Sequence, residues 1–503
     1  MDIESRYRDF DNSIVLKYTI HERIKIYDKG AFDLADFSII YRLDDLKSKS
    51  ENVDRIKAFT YYLDNGNIKS EKLDKSNIYY EKLSNDYGSV NFAMPSVKEG
   101  VILEIQYEIN SSYLARIKKF YFQQWHPIVE SQFTSKIHNY YNYEFNLNGF
   151  YPINYYRDTK NQGDQRFNIN VYQAINVEAL KAEPFIYSME SFRSYVDMEL
   201  ISYQYPNSFF QEISTTWDDV AKSIYNNENI GFQFTLNIRS YKNIIKGLGD
   251  VDEKTKMHKI FKLIQSEYTW DKNYGIYLRK DLNALSKDEK GSIGEINILM
   301  YNLLQKAGLE TKLIVGKEQS EGILKSYSPT FFDLHYCYPV VFIGEETFFL
   351  DATSKYTTPN IIPKRAINLN GLLLDGKTGE LNMINNPNTS SNRFYVDMKI
   401  NKDNIDGVYQ AKIEGYKAYT LREDQINENT LGIIQSDENL SFNNIEMQNL
   451  NDHYKPIMIK ADINIENAVQ NIDNKLFINI LSVFDNFKSP FISEEREFAL
   501  FFD

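Results

Sequence analysis

The sequence predicts an α+β multidomain protein in which an N-terminal β-sandwich and a C-terminal β-sandwich flank a central α+β core. Three observations carry that prediction. A chain of 503 residues is too long for one hydrophobic core and falls in the size range of about three domains. The aromatic share is 15%, with 38 Tyr and 32 Phe, which favours strands joined by aromatic cross-strand pairs. The hydrophobic pattern also changes along the chain. It is strand-like to about Ser214, helical and then strand-like to about 378, and strand-like again beyond Gly379. The domains are therefore placed at 1–214, 215–378 and 379–503.

In the first segment, Ile14 to Ile20 and Arg23 to Tyr27 read as strands. Lys57 to Leu63 runs through Asn65-Gly66 into Ile68 to Ser70, a hairpin signal because a type I′ turn needs positive φ at both central residues. Val101 to Ile109 alternates with period two. The pattern changes at Thr215-Thr216-Trp217-Asp218-Asp219, a polar cap with acids in the first turn. Met257, Ile260, Phe261, Ile264 and Tyr268 then share one helical face between Asp252 and Tyr268. A second helix carries Ile296, Leu299, Met300, Leu303, Leu304 and Ala307, and Gly308 supplies its left-handed stop. Strands follow at Thr311 to Val315, Tyr336 to Ile343 and Thr347 to Leu350, the last two joined by Gly344-Glu345-Glu346. Asn385 to Asn392 reads as a linker, and Arg393 to Ile400, Gly407 to Gly415 and Lys475 to Val483 as strands of the third domain.

A formal charge of −13 argues against a nucleic-acid partner, which needs clustered Lys and Arg. One cysteine, Cys337, excludes an intrachain disulfide and a cysteine-rich zinc site. No apolar run reaches the roughly 18 residues of a membrane span, and Met1-Asp2-Ile3-Glu4 lacks the features of a signal peptide. The abrupt start and the strand-like end at Phe501-Phe502-Asp503 suggest a trimmed mature form. The six histidines are scattered without a His-x-x-x-His spacing, and no Asp-rich calcium loop or phosphate-binding glycine loop occurs. No metal or cofactor is expected. Trp125-His126-Pro127 and His138 to Tyr143 offer aromatic faces that could stack on sugars or peptide side chains. A strand surface with cross-strand aromatic pairs is the favoured reading of them.

The segment Gly291-Ser292-Ile293, opening a helix that closes at Ala307-Gly308, looks like the place where papain- and transglutaminase-like enzymes put a nucleophilic cysteine. With Tyr268-Thr269-Trp270, with Phe349-Leu350-Asp351-Ala352-Thr353 and Pro363, and with Ile56 to Tyr61, Phe92 to Gly100, Phe120 to Gln123 and Glu183-Pro184-Phe185, it resembles a bacterial family. In that family an N-terminal domain of unknown function precedes a transglutaminase-like core and a small C-terminal β-domain. The resemblance implies a Cys, His, Asp triad of thiolate nucleophile, base and orienting acid. Its members usually carry export signals, which implies a periplasmic or envelope location.

Carried over residue by residue, Ile293 takes the nucleophile position, Tyr336 the base position with His335 beside it, and Asp351 the third position. Only Asp351 retains the expected residue type. Function then divides. In one reading the core is catalytically inactive and a degenerate cleft binds a peptide, protein or glycopeptide ligand. In the other, Ser292 with His335 and Asp351 sustains weak hydrolase or acyl-transferase activity, which needs a bulge to turn His335 inward. Ser292 is read preferentially as a helix N-cap. Cys337 is read as a core residue rather than a partner of His335, because residues two apart on a strand lie roughly 7 Å apart. Asp351 has a structural reading too, since a carboxylate before Ala-Thr can accept backbone N–H bonds. Oligomeric state is not legible.

Overall fold

The computed structural model describes residues 1–8, 13–44, 50–84, 86–205, 208–213, 216–385, 390–425, 439–473, 475–478 and 495–499. The boundary placed at 214/215 falls outside these residues, as do most of the strand expected at Lys475 to Val483, the middle of the expected linker and the C-terminal Phe501-Phe502-Asp503. The chain is mixed, sheet-rich and divides into two compact units, one of Met1–Ala182 with Phe192–Ile213, the other of Glu183–Ser191 with Ser214–Asp503.

The first unit is built on an eight-stranded sheet. Its order is Asn154–Gln162, Gln165–Val177, Ile128–His138, Asp2–Arg8, Ser13–Lys25, Ile102–Ser111, Asn52–Asp64 and Asn67–Lys72. All pairs are antiparallel except Asp2–Arg8 with Ile128–His138. The hairpin after Asp64 forms at Asn65 and Gly66, with φ of 50° and 79°. Smaller sheets pair Asp36–Arg42 with Tyr87–Ala93 and Tyr141–Asn148 with Tyr195–Tyr203. Their inward residues, among them Ile39, Phe92 and Val196, share one core with Leu103, Ile105 and Phe133 of the large sheet.

In the second unit, helices precede a five-stranded antiparallel sheet of order Glu346–Phe349, Tyr336–Ile343, Glu310–Gly316, Asn370–Asp375 and Thr378–Met383. The sheet runs past residue 378 because Thr378–Met383 closes a hairpin through Gly376, at φ +61°. The helix Glu253–Glu267 starts at an Asp252 cap, whose carboxylate accepts the Thr255 N–H. The helix Ile293–Lys306 is buried at every residue from Ile293 to Leu304, the condition of a helix surrounded by packing rather than lying on a surface. Three interior polar side chains are bonded, with Asn302 Oδ1 left without a partner among the described residues. Glu295 bonds the Ser292 N–H and Arg279, Asn297 bridges Cys337 O and the Ala352 N–H, and Asn302 Nδ2 reaches the carbonyls of Gln233, Phe234 and Leu236. Gly308 ends the helix at φ +83°.

Beyond it, Ser391–Asn401, Asn404–Glu414, Ile457–Ile465 and Leu440–Gln448 form a four-stranded antiparallel sheet with its own core around Tyr409, Ile457 and Ile463. Ser391 and Asn392, read from sequence as linker, already belong to its first strand, where they pair with Glu414 and Ile413. Ladder hydrogen bonds there override the turn propensity of Ser and Asn.

Candidate functional site

Period two along Tyr336–Ile343 sends alternate side chains to two cores. Cys337 and Val341 face the helices. Tyr336, Tyr338 and Val340 instead join a second cluster with Phe349, Ile362 and Ile293, the first residue of the buried helix, and Trp270 packs against its margin. The strand therefore brings Tyr336 into the cluster that contains Ile293. Its ladder with Glu310–Gly316 runs from Gly316↔Tyr336 to Glu310↔Phe342 without a register shift, so no bulge turns His335 into that cluster.

His335 lies just before the strand, its N–H donating to Gly316 O at 2.9 Å. Its Nε2 faces the Glu318 N–H at 3.3 Å. Burial pulls its pKa below the ordinary histidine value, because a charged imidazolium loses hydration there.

Asp351 follows the strand Glu346–Phe349 and is fully buried. Its Oδ2 accepts the Tyr336 hydroxyl at 2.7 Å, and its Oδ1 accepts the Thr353 N–H at 2.8 Å and hydroxyl at 2.5 Å. The Tyr336 pKa is driven well above 10, first by burial and then by the neighbouring carboxylate. A phenol so placed holds its proton and acts as a donor. Cys337 is fully buried, and burial pushes its thiol pKa up as well.

Ser292 caps the helix through a reciprocal capping box. Its Oγ accepts the Glu295 N–H at 3.2 Å, while Glu295 Oε2 accepts the Ser292 N–H at 2.8 Å. The next two N–H groups are taken by the preceding loop, that of Ile293 by Asn273 O at 3.2 Å and that of Gly294 by Gly275 O at 3.1 Å. Asn273 O also accepts Trp270 Nε1 at 2.9 Å. This approach requires glycine at 294, since a Cβ there would stand 2.5 Å from Gly275 O. The donors that an oxyanion would use at this helix start are thus engaged within the protein.

The sequence-derived positions therefore separate. Ile293, Tyr336 and Asp351 converge, while Ser292 is occupied as a cap and His335 bonds elsewhere. Sequence reasoning missed Arg365. Its Nη2 donates to Thr353 Oγ1 at 2.7 Å and its guanidinium lies 4.1 Å from the Trp270 ring centre, which extends the Tyr336–Asp351–Thr353 chain by one link. Nothing in Pro363-Lys364-Arg365 marks that role, because the stacking partner is remote in sequence. Among the described residues, no group of three His, Cys, Asp or Glu side chains is arranged to hold a metal ion, and no helix is long and apolar enough to cross a membrane.

No family model and no curated protein matches the chain. A solved structure from Parabacteroides distasonis ATCC 8503, described as a putative protease, is similar in fold. It aligns with a TM-score of 0.56 and 11% identity over 92% of each chain. A second, from Cytophaga hutchinsonii and described as a putative cysteine protease, aligns at a TM-score of only 0.19 with 11% identity, over 66% of this chain and 79% of that one. The first alignment shows that the fold is shared with that solved structure across nearly the whole length of both chains.

Proposed function

We propose that this chain is a transglutaminase-like protein of the bacterial envelope that has lost acyl-transfer catalysis and binds a peptide or glycopeptide at the degenerate cleft around Ile293, with flanking β-sandwich domains supplying interaction surface. One observation carries the reading. The carboxylate at the orienting position holds a tyrosine hydroxyl, Tyr336 Oη to Asp351 Oδ2 at 2.7 Å, where acyl transfer calls for an imidazole that can take a proton. Ile293 offers no nucleophilic atom, and the helix N–H groups beside it are already bonded, which supports the same conclusion. The envelope location rests on the family resemblance, and cell fractionation with an antibody against the chain tests it.

Two measurements test the function. The purified chain, incubated with a panel of p-nitrophenyl esters, peptide amides and glutamine-containing peptides, is expected to give no turnover above background. N-acetylated tripeptides, titrated while amide chemical shifts are followed, are expected to shift resonances of Trp270 and the helix start. Turnover that disappears in a folded Ser292→Ala variant would overturn the assignment.

A further inference from the structure

Among the described residues, the other buried and half-buried arginines are well satisfied. Arg422 donates to the carbonyls of Leu450, Asn449, Asp452 and Lys455. Arg116 pairs with Asp197 and Glu199, and Arg193 donates to Gln123 O and Gln124 Oε1. Arg365 is different. It is half-buried, yet it makes one hydrogen bond, to Thr353 Oγ1, and its Nε is buried with no partner among the described residues. No carboxylate there lies within ion-pair distance of it. The nearest acid along the chain of bonds, Asp351, favours the charge on Arg365 from a distance, but has both oxygens engaged by Tyr336 and Thr353.

A guanidinium carries five N–H donors in a planar fork, and withdrawing it from water is costly unless an anion or several acceptors meet it. In a chain of net charge −13, acids to meet it are in surplus. A second cation adds to the same place. Lys272, at φ +70°, sets its Nζ 4.6 Å from the Trp270 ring centre and has no ion pair among the described residues. Two cations thus converge on one indole. The surrounding surface is open: Trp270 is partly exposed and Tyr274, whose ring lies 5.3 Å from Trp270 and 6.3 Å from Tyr336, is 39% exposed.

We propose that Arg365, stacked on Trp270, is an anchor for a carboxylate group of the bound peptide, with Lys272 on the same indole adding positive charge. The inference rests on the cleft at Ile293 being a peptide site and adds what that site selects. A carboxylate matches the guanidinium fork through two parallel hydrogen bonds, and the indole face holds the fork in one plane. The source of the carboxylate is either the C-terminus of the peptide or an acidic side chain.

Three probes distinguish these sources by calorimetric titration of the full chain: N-acetyl-Ala-Ala-Ala with a free carboxylate, the same peptide as its C-terminal amide, and N-acetyl-Ala-Asp-Ala amide. Binding of the free acid about tenfold or more tighter than its amide assigns the terminal carboxylate, as expected from the strength of a charge-assisted hydrogen bond. Recovery of that affinity by the Asp-containing amide assigns a side chain, and either result supports the anchor. Arg365→Gln is expected to abolish the difference, and Lys272→Gln to reduce it and its salt dependence. Should Arg365→Gln fail to fold, judged by its thermal transition, the acid-to-amide ratio in the native chain and in Lys272→Gln decides. Equal affinity for all three peptides overturns the anchor and leaves the peptide cleft standing. Absence of binding by all three overturns both.

Discussion

The Tyr336 hydroxyl donates to Asp351 Oδ2 at 2.7 Å, and both groups are sealed from solvent. Burial and the adjacent carboxylate both oppose ionisation of the phenol, and the other carboxylate oxygen is taken up by Thr353. The pair therefore fixes the exit of the strand Glu346–Phe349 against the strand Tyr336–Ile343. Tyr336→Phe removes the donor and leaves Asp351 Oδ2 without it, at an expected cost of about 1–3 kcal/mol. Urea unfolding measures this. An unchanged midpoint in Tyr336→Phe would mean that the bond contributes nothing net.

Much of this arrangement is legible in the sequence, and the reasons differ from residue to residue. The helix start at Ser292 is readable because a Ser followed three positions on by Glu before an apolar run has one local solution, the capping box. The strand at Tyr336 and the turn at Gly344 are readable from period and glycine placement for the same local reason. The role of Arg365 is not readable, since stacking on Trp270 depends on how two remote loops meet. The engagement of the Ile293 and Gly294 N–H groups by Asn273 and Gly275 is equally invisible, because backbone carbonyls carry no side-chain signature. The Ser391–Asn392 pair misleads for the opposite reason: local turn propensity yields to ladder bonding with Glu414 and Ile413.

Glu295 and Arg279 are expected to differ in their effect on stability although they share a 2.9 Å ion pair. The glutamate side chain is fully buried, whereas that of Arg279 is 50% exposed. Glu295→Ala strips the Ser292 N–H and Arg279 of an acceptor inside the core, and is expected to destabilise the second unit by about 2–3 kcal/mol. Arg279→Ala leaves the capping box intact and is expected to cost about 1 kcal/mol or less, as for a solvent-screened partner. Chemical denaturation of the two variants side by side checks the ranking, and equal losses would show that the ion pair, not the cap, dominates.

The histidines give stability a pH dependence with a definite sign. His335 has a folded-state pKa lowered by burial from its ordinary value of about 6.5. The unfolded chain therefore takes up a proton there before the folded chain does. The stability this contributes is fully present above about pH 6.5 and is lost as the pH falls through the folded-state pKa. His335→Gln, which keeps an acceptor for the Glu318 N–H, is expected to flatten the loss of stability just below pH 6.5 without changing it at pH 8. Denaturation midpoints across that range test this, and an unaltered slope would assign the effect to the buried His138 or the half-buried His126, His258 and His453, whose pKa values burial also lowers.

Introducing a thiol at position 293 is expected to be insufficient to create chemistry. A helix N-terminus lowers a cysteine pKa when its N–H groups face the sulfur, but those of Ile293 and Gly294 already bond Asn273 and Gly275, and position 293 is fully buried. Ile293→Cys should therefore alkylate slowly with iodoacetamide near neutral pH, as should the native Cys337, which is buried in the helical core. Mass spectrometry with and without denaturant separates the two sites. Rapid labelling of position 293 in the folded protein would show that the loop carrying Asn273 and Gly275 lifts away from the helix. Adding Tyr336→His places an imidazole beside Asp351 Oδ2, the pairing that orients a base, and the informative comparison is the double variant against Ile293→Cys alone on the ester and amide panel. Ester turnover in the double variant only would mark a decayed triad whose remaining geometry is intact. Equal turnover in both would make His335 the base, against its bond to the Glu318 N–H. Silence in both is the expected result, because two side chains do not release the N–H groups that an oxyanion needs, and Gly294→Ala, which forces a Cβ against Gly275 O, is then the change that should expose them.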